Sequence, residues 1–425
     1  MVLNRSKIVY WARESSRFFS VQLVVTALNF LIGFLILRYL TKVDYATYTA
    51  AVAILSIFTT VTEVGINPAM NAIAGEEHED RRAMGSLVNT AIAFRTRVAL
   101  WLSAPIVAYA LWQFWLLGVH WGLALVVIAT VAVGGVVQLQ ISILKVPMLF
   151  AQRVATLQGI ELRAALAKVA LGLAVIVVYP TVVTFTAVMS LVFIYHWRLL
   201  ARQAEALYDR SAGTRAEYRA RIASLFRSNF LNTLYWAFQG QILILLCALF
   251  TSTENVAEIG AMGKLTAVFT LLNLFVNSYF VPAVAKLRAP GDILRRSGTV
   301  LLFYGAAAVP ILTVAYLFPE WLLLILGQKY ANLTEVLPLF VTISVLTLIQ
   351  GGMYSLCAAR GWVRYYFVYT PVVIIGQIAL LYYLDLSNIR DIIYFDGAIV
   401  LLGIVINAAI FSVEFLRYRR QYNPE

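Results

Sequence analysis

The chain has 425 residues, of which 61% are apolar and only 13% charged, with a formal net charge of +12. Soluble domains carry about 25% charged residues, and a mean hydropathy of +0.82 excludes a water-facing globular surface. The two cysteines, Cys247 and Cys357, lie inside apolar runs and exclude a disulfide framework or a cysteine metal site.

Apolar runs of about 18 residues or more recur from Phe18 to Phe415. Backbone polar groups must be paired internally in lipid, so such runs are helices. In chain order the expected spans are 18–38, 46–72, 98–118, 121–144, 158–179, 181–197, 228–250, 260–282, 299–318, 336–358, 366–384 and 395–415. The fold class is all-α integral membrane, with about twelve transmembrane helices. The span at 46–72 is long enough to tilt or protrude, and 181–197 is near the lower limit. The segment from Met1 to Arg17 is too polar for a signal peptide, and Ser6 to Arg17 suits a short interfacial helix.

Lysine and arginine positions orient the spans. With the N-terminus inside, 27 of the 33 basic residues fall in inner segments, four (Arg38, Lys42, Lys329, Arg390) fall outside, and Lys168 and Lys264 lie within spans. Both chain ends are therefore expected inside. The positive charge reads as an orientation signal, with contact to anionic inner-leaflet lipid as a second role, and not as a nucleic-acid footprint. Trp112, Trp115, Trp121 and Trp321 fall at the expected outer border, and Trp11, Trp197 and Trp362 at the inner one.

The Arg-rich stretch 198–227 divides the spans six and six. The expected organisation is a six-helix lobe over 1–197, a basic cytoplasmic loop over 198–227 and a second six-helix lobe over 228–425, both lobes entering in the same orientation as parallel repeats do. Local matches keep the same order in both halves. Tyr45 to Ala50 answers Val256 to Ala261, Gly134-Gly135 answers Gly351-Gly352, and Leu149 to Arg153 answers Leu356 to Arg360.

Three stretches resemble bacterial polysaccharide flippases, the O-antigen and exopolysaccharide group of the multidrug/oligosaccharidyl-lipid/polysaccharide exporter superfamily. Arg38-Tyr39-Leu40-Thr41-Lys42-Val43-Asp44-Tyr45-Ala46-Thr47-Tyr48 is similar to that group's link between the first two helices, with Ala46 where the group has glycine. Glu63-Val64-Gly65-Ile66 stands in the place of an acidic-x-Gly-aliphatic pattern, and Leu324 to Ala331 is similar to "L-x-x-G-x-x-Y" before the tenth helix. The resemblance implies translocation of a polyprenyl-pyrophosphate-linked oligosaccharide across a bacterial inner membrane by alternating access, without a cofactor. It also implies a polysaccharide polymerase and other assembly proteins as partners.

That task requires a shielded polar cavity with cationic character, because ions and unpaired hydroxyls are costly in hydrocarbon. Lys168 lies near mid-membrane and is a candidate diphosphate contact; the alternative is a snorkelling lysine, or one paired with Glu161. Lys264 has the same two readings. Arg38 could hold cargo near release or anchor the topology beside Asp44. Glu63 is either a coupling site or a structural partner for a basic residue or for backbone freed near Pro68. Amides inside spans include Asn29, Asn273 and Asn277, and Asn232, Tyr235, Trp236 and Gln239 share a helical face that suits sugar hydroxyls and rings. Interhelical hydrogen bonding is the competing role for each. His78, His120 and His196 are too scattered for a metal site.

Three other functions compete. A cation-coupled multidrug exporter of the same superfamily would want an acid in the first-half cavity, and span 18–38 holds none. A peptidoglycan-precursor flippase would have about two more helices. A membrane glycosyltransferase or polymerase would carry a large outer loop with acidic or arginine motifs, and the outer loops here are short.

Overall fold

The computed structural model describes residues 5–77, 80–266, 268–285, 287–362 and 365–422. The side chains of 5–19, Leu274, Ser278, Tyr279, Pro282 and Phe367 are not among what is described, so Trp11 lies outside it, as do His78, Lys286 and Arg364. The described residues form sixteen α-helices and one short 3-10 helix, with no strand among them. In chain order the helices are α1 (Arg5–Tyr39), α2 (Lys42–Glu63), α3 (Ile66–Glu77), α4 (Arg81–Leu116), α5 (Trp121–Phe150), α6 (Val154–Val178), α7 (Val182–Ala204) and α8 (Ala216–Gln239). They continue as α9 (Ile242–Phe250), α10 (Thr253–Leu265), α11 (Val268–Ala285), α12 (Pro290–Leu317), α13 (Pro319–Leu326), α14 (Leu337–Ala359), α15 (Tyr366–Tyr383) and α16 (Ile389–Tyr422).

Among the described residues, nine helices are long and apolar enough to cross a membrane. The pair α8 and α9, bent by 56° at its break, makes a tenth if it is one span. The chain is a multi-pass membrane protein. The remaining expected spans fall on α6, whose 25 residues include Glu161, Arg163 and Lys168, and on α15, whose apolar part is Val368–Tyr383.

Two expected spans are interrupted. The run 46–72 does not tilt as one helix: it ends at Glu63 and restarts at Ile66 across Gly65, whose φ is +66°. Run 228–250 breaks at Gly240. Other helices overrun the bilayer. α4 has 36 residues and α16 has 34, against about 20 needed to cross. The segment Ser6 to Arg17 is likewise the start of α1, continuous with the first span.

Capping follows the sequence. Thr41 accepts from the Asp44 N–H at 3.1 Å, Asp80 from Arg82 at 2.7 Å and Ser252 from Asn255 at 3.4 Å. Thr181 and Thr184 form a reciprocal capping box at the start of α7. Each such cap contributes about 1 kcal/mol.

The helices divide into two compact units, Met1–Leu245 and Leu246–Glu425. In the first unit α5 packs along α7, α1 along α6, and α2 against α4 and α5. Gly134 admits Ser190 and Phe193 of α7, and Gly135 admits Leu55 and Phe58 of α2. In the second unit α14 packs along α16 and α12. There the small residue is on the partner: Gly403 of α16 admits Gln350, and Gly397 admits Ile343. The closest pairs, α5 with α7 and α14 with α16, join the fourth and sixth expected spans of each half, as a repeat would.

The stretch 198–227 is mostly helical. Residues to Ala204 complete α7, those from Ala216 begin α8, and only 205–215 connects them. That connection is docked on α4. The Asn89 amide donates to the Ala212 carbonyl at 2.6 Å, the Asp209 N–H to Arg81 at 2.9 Å, and the Arg215 N–H to the Thr90 hydroxyl at 3.0 Å. α8, expected to open the second lobe, packs on α2, α3 and α4 of the first unit. Its residues Tyr218 and Ile222 enter an apolar core with Ile66, Met70, Leu87 and Leu200. Arg221 pairs with Glu76 at 2.8 Å and holds that carboxyl below the usual carboxylate range.

Candidate functional site

Lys168 lies midway along α6, and its Nζ donates to the Asn29 Oδ1 of α1 at 3.0 Å. The Asn29 amide in turn donates to the Val25 carbonyl at 2.9 Å, which fixes its oxygen toward the lysine. The two helices meet closely because Gly172, one turn beyond Lys168, leaves room for Ile32. Lys168 is half-buried and Asn29 exposed. A mid-membrane lysine costs at least ~2.5–3.5 kcal/mol, and one hydrogen bond to a charged group returns about 1.5–3 kcal/mol. Glu161 is not its partner. Seven helical residues rise about 10 Å, beyond ion-pair reach, and Glu161 pairs with Lys145 of α5 at 2.6 Å instead.

α8 separates an apolar face from a polar one. Phe230, Leu234, Ala237 and Phe238 pack with Ile57, Val61, Leu102 and Tyr109 of α2 and α4. The other face carries Asn232, Tyr235, Trp236 and Gln239, with Asn232 and Trp236 exposed. The Tyr235 hydroxyl donates to Gln239 at 3.4 Å, and its ring meets Trp236 edge-on at 5.4 Å. These four residues come together as expected, in an arrangement able to offer amides and ring faces to a polar ligand.

Glu63 closes α2, where a carboxylate opposes the helix dipole. Arg95 of α4 lies 3.5 Å from it, and the Asn67 amide donates to it. The other contacts of Arg95 are the Leu139 carbonyl at 2.9 Å and the Ser142 hydroxyl. Arg95 is only 2% exposed. Counted among the inner-segment charges in the sequence, it is carried into the helix packing because α4 begins fourteen residues earlier. This pair gives Glu63 the structural partner that one of its two readings required.

The second unit uses its polar residues differently. Lys264 sits in the last turn of α10, where a cation suits the helix dipole. Asn273 and Asn277 lie further along, on α11. Asn273 accepts from the Tyr304 hydroxyl at 2.8 Å, and the Asn277 amide donates to the Asn273 carbonyl at 2.9 Å. Gln350, Tyr369, Tyr366 and Asn407 link α14, α15 and α16. The amide of Gln350 donates to Tyr369 at 2.6 Å and the Tyr366 hydroxyl to Asn407 at 2.6 Å. Arg38 is exposed at the C-terminal end of α1, while Asp44 accepts from the Thr41 hydroxyl at 2.8 Å.

The recognisable motifs serve the scaffold. Tyr45 and Ala46 of the first are fully buried, leaving no room for a larger residue at Ala46. Gly65 of the second faces the Leu225–Phe226 backbone so closely that a Cβ could not fit. Gly327 of the third has φ +103°, and Tyr330 is fully buried after it. Cys247 and Cys357 are both buried. Trp112, Trp115, Trp121 and Trp321 are exposed, whereas Trp362 is enclosed by Phe411, Phe415 and Tyr418.

No family model matches the chain, and no curated protein sequence does. Solved structures do. A multidrug resistance MATE family transporter of the MOP superfamily, in an inward-facing conformation, superposes with a TM-score of 0.67 at 10% identity, covering 92% of this chain and 95% of that one. The lipid II flippase MurJ, inward closed, superposes with a TM-score of 0.63 at 13% identity, covering 95% of this chain and 90% of that one. A MOP superfamily transporter from Pyrococcus furiosus, described by a binding pocket of reversed polarity, gives 0.60 at 11% identity, covering 96% and 94%. The chain has the two-lobed, all-helical fold of these transporters.

Proposed function

We propose that this protein is a carrier that moves a polyprenyl-pyrophosphate-linked oligosaccharide from the inner to the outer leaflet of a bacterial inner membrane. The observation that carries the reading is Lys168, a cation midway along α6 that donates to Asn29 of α1. A lysine inside an apolar helix is a functional candidate by default, and the diphosphate of such a cargo supplies the matching charge. The amide and aromatic face of α8 suits the sugar, since ring faces and amides match sugar rings and hydroxyls. Lys264 is the corresponding cation proposed for the second half. Arg38, at the outer end of α1, is proposed to hold the diphosphate near release. The carrier exposes its cargo site to one side at a time and does no covalent chemistry, which is consistent with solved neighbours that are transporters and flippases.

Purified protein in proteoliposomes, loaded with a fluorescent polyprenyl-diphosphate oligosaccharide, tests the reading. Leaflet exchange should be accelerated, and an amphipathic cation should neither be exported nor compete. Export of the cation without exchange of the lipid-linked sugar would replace this reading with a multidrug exporter.

A further inference from the structure

The last helix, α16, carries an acid that neither the cargo site nor the scaffold uses. Asp396 is the only charged residue between Asp391 and Glu414. It stands about two turns inside a helix long and apolar enough to cross a membrane. One turn to either side on its face lie Ile392, Ile393, Ile399 and Val400, none more than 5% exposed. Asp396 itself keeps partial access to the surface. It is past the first turn, where the helix dipole favours a carboxylate.

Nothing around it supplies a counter-charge. α16 packs against α14, α15 and α12. α14 and α15 contain no charged residue, and α12 has none beyond Arg296. Gly397 admits Ile343, which sets Asp396 at that level of α14. The hydroxyls there, on Thr342, Ser344 and Thr347, donate to carbonyls of their own helix. The tyrosines of the facing helices are engaged elsewhere: Tyr304 with Asn273, Tyr316 with Thr342, Tyr366 with Asn407 and Tyr369 with Gln350. On α16 itself Arg390 and Asp391 lie more than a turn away, and Arg390 rests over the Tyr394 ring. Among the described residues Asp396 has no hydrogen bond or ion pair.

Glu63 has Arg95 to hold; Asp396 has no such structural use. An ionisable group inside a membrane helix is a functional candidate by default, and apolar surroundings disfavour the charged form of a carboxyl. An acid that is neutral when enclosed and charged when water reaches it binds and releases a proton.

We propose that Asp396 is the proton site of the second unit. Its carboxyl holds a proton while enclosed and gives it to water when the packing around it opens. The use of that proton, to draw cargo toward the acidic side of the membrane, rests on the proposed carrier function; the proton binding does not.

Two measurements separate the binding from its use. The first is the infrared difference spectrum, at neutral pH, between the full-length protein and Asp396→Asn in phosphatidylcholine nanodiscs. It should show a protonated-carboxyl band lost in the variant, and Asp396→Glu should restore the band at a shifted frequency. The second is leaflet distribution of a fluorescent polyprenyl-diphosphate oligosaccharide in proteoliposomes. A pH gradient of one unit should shift it toward the acidic side by a factor of about ten for one proton per cargo. Asp396→Asn should abolish the shift at an unchanged melting temperature, and Asp396→Glu should keep it. A difference spectrum without the band overturns the proposal, as does a gradient-driven shift that survives in folded Asp396→Asn. If Asp396→Asn melts early, the absence of a displaced band in Asp396→Glu overturns it instead. The band in a protein that exchanges no lipid-linked sugar keeps the proton site and removes the carrier reading.

Discussion

Glu63 and Gly65 stand two residues apart and are constrained by different physics. Gly65 combines φ +66° with a backbone approach from Leu225 and Phe226. Gly65→Ala adds a strained conformation, about 1 kcal/mol, to a clash with atoms that cannot rotate away. The expected loss is about 3 kcal/mol or more, read as a lower melting temperature in detergent. Glu63 holds Arg95, whose buried guanidinium keeps two other acceptors. Glu63→Gln should therefore cost about 1 kcal/mol, discounted because the carboxylate is 37% exposed. A melting point lowered with export reduced in proportion is expected. Lost export at unchanged melting would make Glu63 a coupling residue instead. At this scale Glu63 and Lys168 were legible, since a charge inside an apolar run stands out. Arg95 was not, because it lies at the edge of its run and reads as a flank. Its only local signal is an arginine about four turns inside a helix that starts earlier than hydropathy shows.

Apolar runs mark where a helix meets lipid, and not where it begins or ends. Hence the expected spans fall on helices, yet α4 and α16 overrun them. The interruptions at Gly65 and Gly240 carried a glycine signal, but glycine is common inside transmembrane helices, so neither broke the apolar run in which it sits. The docking of 205–215 on α4 depends on side chains over a hundred residues away, which no local pattern reveals. Topology remains a proposal with a direct check. A reporter fused after Arg210 should give a cytoplasmic signal, and fusions near Gly118 and Asn332 periplasmic ones. A periplasmic signal at Arg210 would invert the orientation on which the inner and outer assignments rest.

For the whole molecule, the sequence carried the class and the two-lobed helical plan through composition, charge asymmetry and the ordered matches between halves. The motifs proved to be scaffold residues, which is why they indicate the fold more firmly than the cargo. Cargo depends on where cations and amides are held, and only three-dimensional packing brings Lys168 to Asn29 or lays the polar face of α8 away from α2. The central claim is that mid-membrane cations carry an anionic lipid-linked cargo. It is tested most directly by exchange of a polyprenyl-diphosphate oligosaccharide in proteoliposomes containing Lys168→Ala, Lys264→Ala or the double variant, each checked for folding by melting temperature. Each single variant should lower the rate about tenfold, the scale of one lost charge-assisted contact of about 1.5 kcal/mol. The double variant should lower it further, and arginine at either site should restore part of the rate. An exchange rate in the folded double variant equal to that of the unaltered protein would contradict the account.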